Sequence, residues 1–195
     1  MTTISIDRII EKSKKAAFYK MCFYFFSFGF IGWIFETISI IFTDGKLMNR
    51  GFLFVRETFP FVWGLPIIAM YGVGGLIISL VFKKYRHFPI KIFFLSIALM
   101  TLFELLVSYL CDFLFHQPYW VYRDAFNFDG RISLMSSIMW GFLSLVTVSF
   151  VEPRIDKIYQ KVRESKFFKI ITYILLVYLV ICIGVRDNFF LKLIS

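Results

Sequence analysis

Apolar and polar residues do not alternate along this chain. The apolar ones gather in five runs of about twenty, at residues 21–42, 64–82, 92–110, 132–151 and 167–185. About 20 helical residues at 1.5 Å each match a hydrocarbon core about 30 Å thick, so each run predicts a membrane-crossing helix. Their unbroken apolarity excludes barrel strands, whose short segments alternate lipid-facing and lumen-facing positions. The expected fold is all-α: a polytopic membrane protein with a five-helix transmembrane bundle and amphipathic interfacial helices, forming a single integral membrane domain over residues 1–195.

Two segments outside the runs carry a helical rather than a continuous pattern. Residues 1–20, MTTISIDRIIEKSKKAAFYK, set Ile6, Ile9 and Ile10 on one side and Arg8, Lys12 and Lys15 largely on the other. Residues 152–166, EPRIDKIYQKVRESK, place Ile155, Ile158, Tyr159 and Val162 at i, i+3, i+4 and i+7, with Pro153 suited to a helix start. Both fit helices lying along the inner membrane surface. The second serves either as an anchor between spans or as a surface that docks a cytoplasmic partner. The loops at 43–63 and 113–131 are too aromatic for solvated linkers and too interrupted for full spans, which predicts segments lying in the outer interface or dipping inward. Tyr119, Trp120 and Tyr122 fit an aromatic belt at the headgroup layer equally well.

Composition agrees with the pattern. The 195 residues are 59% hydrophobic, with 27 Phe and a mean hydropathy of +0.75, against roughly 45–50% apolar residues in soluble domains. The first run exceeds a signal-peptide core and no A-x-A site precedes Asp44-Gly45-Lys46, so it is expected to persist. Cys22, Cys111 and Cys182 are odd in number and form no C-x-x-C pair, which argues against a disulfide framework or a zinc site.

Charge sets the expected orientation. Fifteen of the 22 Lys and Arg residues fall in 1–20, 83–91 and 152–169, and seven in the alternate loops. By the positive-inside rule the amino terminus is cytoplasmic and the carboxyl terminus extracytoplasmic in the cell membrane. The net charge of +9 divides into +10 on the cytoplasmic side and −1 elsewhere, a bias toward anionic lipid of the bilayer rather than a nucleic-acid footprint.

The candidate chemistry lies in polar groups within the runs. In TLFELLVSYLCDFLF, residues 101–115, Glu104, Ser108 and Asp112 are spaced four apart and share a helix face with Thr101. In FGFIGWIFETI, Gly29, Gly32 and Glu36 form a glycine groove ending in a carboxylate, where another helix can approach. A charge at mid-membrane costs about 2.5–3.5 kcal/mol on insertion scales, so such residues are paired, neutral or near water. Their counter-ions at the same level are Arg50, Arg123 and Arg131, and the fourth run adds Ser133, Ser137 and Gly141 as a small-residue face. These residues predict an outward-opening pocket of Glu36, Glu104 and Asp112 against Arg50 and Arg131. Asn127, Ser133 and Tyr119 would be its neutral hydrogen-bond partners, for a polar or anionic solute or a lipid headgroup. The competing reading has the same groups pairing only with each other to fix helix register. No G-x-x-x-x-G-K-[ST], H-E-x-x-H or G-x-S-x-G occurs, and His87 and His116 fall on opposite sides of the membrane, so no cofactor and no metal is expected.

Several of these stretches, taken in order, resemble one family. FGFIGWIFETI (28–38), NRGFL (49–53), P-x-x-x-x-Y-G-x-G (66–74), the Glu104 helix, W-x-Y (120–122) and N-x-x-G-R-I-S-L with a later W-G (127–141) are similar to the CmpB-like family of ABC transporter type IV permeases. The resemblance covers residues 28–141 and carries over Glu36, Arg50, Gly51, Glu104, Asn127, Gly130, Arg131 and Trp140. The chain departs from the family pattern at Val121, where an acidic residue usually follows the tryptophan. It also carries a longer insert after the R-G-F-L. The resemblance implies the membrane subunit of a transporter, with any ATPase a separate cytoplasmic chain docking on residues 83–91 and 152–166, and a homo-oligomer is compatible with it. Two other functions remain open. One is a membrane enzyme acting on a lipid-linked or phosphorylated substrate, with Glu36 or Glu104 as general base and Arg50 and Arg131 as the anion clamp. The other is a non-catalytic assembly protein.

Overall fold

The fold was obtained as a computed structural model, which describes residues 2–45, 51, 63–116 and 118–186. Helix α1, Thr2–Asp44, runs 43 residues without a break. The amphipathic head and the first apolar run are thus one helix, because no Gly or Pro occurs before Gly29. Gly45 ends it in the left-handed region at φ 63°, with its N–H donating to Ile41 O at 3.1 Å.

The second run is only partly helical. Helix α2, Ala69–Phe82, has 14 residues, about 21 Å. Gly64 and Pro66 account for the shortening, since proline has no N–H to give and pushes the residue before it toward extended backbone. Residues 63–68 are therefore non-helical, and non-helical backbone is tolerated at membrane depth only where protein covers it. Backbone groups of the segment find partners here: Ile68 N–H donates to Gly29 O at 3.1 Å, Ile67 N–H to Leu65 O at 2.8 Å, and Tyr178 Oη to Trp63 O.

Helix α3, Pro89–Phe115, starts on a proline at its first turn and closes at His116, φ 56°, whose N–H reaches Asp112 O at 2.9 Å. A hairpin of β1 (Asn127–Phe128) and β2 (Ile132–Ser133) follows, antiparallel with Asn127 opposite Ser133. Helix α4, Leu134–Val146, is capped by Ser133 Oγ, which accepts the Ser136 N–H at 3.1 Å. A π turn, Thr147–Val151, joins it to α5, Glu152–Val162. The fourth run and the amphipathic segment expected after it thus form one rod, Leu134–Val162, before α6, Lys166–Arg186. Among the described residues, four helical rods are long and apolar enough to cross a membrane: Ile10–Phe42, Pro89–Leu114, Leu134–Val162 and Lys166–Val185.

The chain divides into two compact units, residues 1–72 with 155–195, and residues 73–154. In the first, Ile67, Leu179 and Cys182 are buried among Phe25, Phe26, Leu65 and Tyr178. The glycine groove of α1 is filled by the residue Ile67 before α2 and by the first turn of α2, since a Cβ on Gly29 would lie 3.4 Å from Ile67 Cβ and one on Gly32 2.2 Å from Tyr71 Cβ. Gly51, at φ 80°, has no more room: its Cβ would meet Ile67 O at 2.3 Å. Within α5, Ile155 and Tyr159 are buried as the helical pattern requires, whereas Ile158 is 52% exposed.

In the second unit, α3 and α4 pack antiparallel along a seam of small side chains. Gly141 sits against Phe93 and Ile97, where an added Cβ would stand 2.8 Å from the Phe93 ring. Ser96, Met100, Glu104 and Ser108 of α3 and Ser137, Trp140 and Ser144 of α4 are all buried along it.

Candidate functional site

The α3 stripe that begins at Thr101 finds its partners, residue by residue, in the segment from Trp120 to Ser137. Thr101 Oγ1 donates to Ser137 Oγ at 2.7 Å. The carboxylate of Glu104, 2% exposed, accepts Tyr122 Oη at 2.5 Å and Ser136 Oγ at 2.9 and 2.8 Å. Ser108 Oγ accepts an N–H of Arg131 at 3.1 Å, and Asp112 Oδ2 accepts another at 2.5 Å. The Arg131 fork also reaches Asp129 at 3.0 Å and lies 4.2 Å over the Tyr109 ring. The hydrogen bond to Asp112, then that to Asp129, holds the Arg131 pKa above its ordinary value, so the guanidinium remains charged.

The hairpin is what aims these groups. Asp129 and Gly130 are consecutive residues in the left-handed region, φ 54° and 65°, the geometry for which an Asp-Gly pair is suited in a tight turn. Asn127 Oδ1 accepts the Gly130 N–H at 2.8 Å and Arg131 N–H closes on Phe128 O at 3.0 Å. The chain entering the hairpin is stitched to its exit: Tyr122 N–H donates to Gly130 O at 2.8 Å, Trp120 Nε1 to Arg131 O at 2.9 Å, and Leu134 N–H to Phe126 O at 2.9 Å. A Cβ on Gly130 would also meet Val121 Cγ1 at 3.0 Å. Tyr122 is thereby pinned over α3, with its hydroxyl at Glu104.

The residues expected to form one pocket fall out as follows. Glu104, Asp112 and Arg131 belong to a single network with Tyr122, Ser108 and Ser136. Ser133 is 3% exposed and acts as the α4 cap, and Asn127 builds the turn. Tyr119 is 36% exposed on the approach to the hairpin. Glu36 belongs to the other unit, where its Oε2 accepts Tyr71 Oη at 2.7 Å. Arg50 lies outside the described residues.

Tyr122, Ser136 and Ser108 are members of the network that the expected pocket omitted. The signal for Tyr122 was the Asp-Gly turn, which reverses the chain and folds W-x-Y back beside α3. A second ionic set went unpredicted: Glu152, 1% exposed, accepts Lys83 Nζ at 2.7 Å and Arg86, whose Nε also bonds Val148 O at 3.1 Å. Val148 belongs to the π turn, where the shifted backbone register presents a carbonyl to a side chain.

Chemically, the Glu104 network offers acceptors and one cation. Among the described residues, the buried Asp112 Oδ1 has no hydrogen-bond partner, beside a guanidinium whose donors are spread over Ser108, Asp112 and Asp129. Such a set can exchange internal partners for a polar ligand that brings both donors and an acceptor.

A family model described as "Putative ABC-transporter type IV" matches residues 23–185, which reaches past α4 and α5 through most of α6. No curated protein matches the chain, and no solved structure does either.

Proposed function

We infer, from the premise that this chain belongs to the ABC-transporter type IV family, that it is a permease-like membrane component whose Glu104 network handles a polar or anionic solute or a lipid headgroup. The chain is an integral membrane, transport-related protein. The observation that carries the finer reading is Glu104 itself, a carboxylate 2% exposed inside an apolar span and closed over by a tyrosine from a hairpin. A solute donor takes the place of the Tyr122 hydroxyl at Glu104 or bonds the open Asp112 oxygen. A solute carboxylate or phosphate takes the place of an aspartate on Arg131.

The distribution of Lys and Arg supports a cytoplasmic amino terminus, and α2 with the segment 63–68 together have the reach of a fifth crossing, leaving the carboxyl terminus outside. The Glu104 end of α3 then faces the extracytoplasmic side. Where ATP drives the cycle, a separate ATPase chain supplies it, docking on residues 83–91 and 152–166.

The test is transport by the chain reconstituted with its co-purifying partners in proteoliposomes, against a panel of labelled zwitterionic and anionic solutes. Wild type moves at least one solute, Glu104→Gln folds and moves none, and the purified chain leaves added lipids chemically unchanged. Turnover of a lipid by the isolated chain would reassign it as an enzyme. Unaltered flux with lost partner recovery would reassign it as an assembly protein.

A further inference from the structure

A groove of about 400 Å³ opens in the first unit between the charged part of α1, the end of α5 and the start of α6. Four cations line it, Lys12, Lys15, Arg163 and Lys169, against two carboxylates. Both carboxylates are taken: Glu11 pairs with Lys15 at 2.6 Å and Glu164 with Arg163 at 3.6 Å. Lys12 and Lys169 have no ion-pair partner among the described residues. Tyr159, 4% exposed and anchored by its hydroxyl to Ala16 O at 3.0 Å, and Tyr19, bonded to Tyr173 Oη at 3.3 Å, supply aromatic walls.

The groove coincides with the change from charged to apolar sequence on two helices at once. Helix α1 passes from Glu11–Lys15 to Ala16 and the apolar run after Lys20, and α6 passes from Lys169 to an uninterrupted apolar stretch. Beside it, Phe18, Phe167, Ile170 and Tyr173 are 42%, 72%, 58% and 53% exposed, as side chains facing acyl chains are. A ligand fitting this place carries a negative head at the level of the lysines and apolar tails alongside the exposed rings. That description is of an amphiphile, and neither a free anion nor an acidic peptide supplies the tails.

We propose that this groove is a specific site for the phosphate headgroup of an anionic phospholipid, held between Lys12 and Lys169. It uses none of the Glu104 network, and both Lys12 and Lys169 lie outside the segments 83–91 and 152–166. Each lysine near a membrane surface contributes about fivefold to anionic-lipid affinity, so loss of both weakens binding about thirtyfold.

The experiment measures binding of tail-labelled phosphatidylglycerol to the full chain in neutral detergent. Lys12→Gln with Lys169→Gln is expected to weaken binding about thirtyfold, while the paired change to arginine retains it. Lys84→Gln with Lys91→Gln removes equal charge from the other unit and is expected to leave affinity unchanged. The proposal is overturned if that control weakens binding as much as the groove pair does, or if the groove pair leaves binding intact. It is also overturned if tail-labelled phosphatidylcholine binds wild type equally well, or if millimolar inorganic phosphate displaces the lipid, which would mark a free-phosphate site.

Discussion

Removing the Tyr122 hydroxyl isolates the contact that closes the hairpin over Glu104. Tyr122→Phe keeps the ring and deletes only the donor that reaches Glu104 Oε1 at 2.5 Å. Glu104 is 2% exposed, so water does not readily replace the lost donor, and a hydrogen bond to a charged acceptor is worth about 1.5–3 kcal/mol. Glu104→Gln keeps the shape and leaves a neutral amide oxygen to accept, for which the same hydroxyl is worth about 0.5–1.5 kcal/mol. The double-mutant cycle is therefore expected to give a coupling of about 1 kcal/mol or more. For a chain of this size that corresponds to about 2–4 °C in Tm per kcal/mol, readable from the fluorescence of purified protein unfolded in one detergent at one scan rate. A coupling below about 0.5 kcal/mol, the usual error of additivity, together with an unchanged Tm for Tyr122→Phe alone, would mean that Tyr122 does not close on Glu104. The exchange proposed for the site would then lose its gate.

Four further substitutions, one of them a control, extend the same unfolding measurement to other contacts. Gly32→Ala sets a Cβ 2.2 Å from Tyr71 Cβ, an atom that cannot swing aside, so it is expected to cost about 2 kcal/mol despite the better helix propensity. Gly29→Ala meets nothing closer than 3.4 Å and serves as the near-neutral control. Arg131→Lys keeps the charge but cannot reach Ser108, Asp112 and Asp129 together, and a loss of about 1–2 kcal/mol is expected; wild-type stability would show that the fork is not used. Glu152→Gln releases Lys83 and Arg86. Because their side chains are 50% and 35% exposed, the expected cost is about 1–2 kcal/mol rather than the 3–5 of a fully buried pair.

How much of this could be read from the sequence depended on the range of the interaction. Run length and apolarity gave the helices because they are local properties, and the four-residue spacing of Glu104, Ser108 and Asp112 put them on one face because helix geometry is local too. In the second run Gly64 and Pro66, two local breakers inside an apolar stretch, delay the start of α2 to Ala69. Partners were harder. Arg131 was placed at the level of the three carboxylates without being assigned to any one of them, and Tyr122 was passed over for Tyr119. The choice depends on the left-handed Asp129–Gly130 turn, which decides which aromatic side chain folds back. Glu152 was read as the start of an amphipathic helix lying along the membrane surface, from the spacing of Ile155, Ile158, Tyr159 and Val162. Only the return of Lys83 and Arg86, more than 60 residues away in sequence, makes its burial tolerable.

The α3–α4 pair therefore has an unlike middle and ends. In the middle, Gly141 lies against Phe93 and Ile97 with no space for a methyl group, so the two helices cannot slide without repacking. At one end Arg131 and Tyr122 bind the hairpin to α3, and at the other Lys83 and Arg86 bind the link before α3 to Glu152. From Ser136 to Glu152 is 16 residues of nearly continuous helix, about 24 Å, so the two sets sit near opposite faces of an apolar slab about 30 Å thick. Close apolar packing resists graded deformation, whereas hydrogen bonds and ion pairs can exchange one partner for another at modest net cost. The π turn at Thr147–Val151 lies next to the Glu152 set, with Val148 O already engaged by Arg86 rather than reserved for the helix. The exchangeable contacts of this unit are accordingly concentrated at its polar ends, and the solute proposed to enter at Glu104 would compete with the hairpin and leave the helix seam undisturbed.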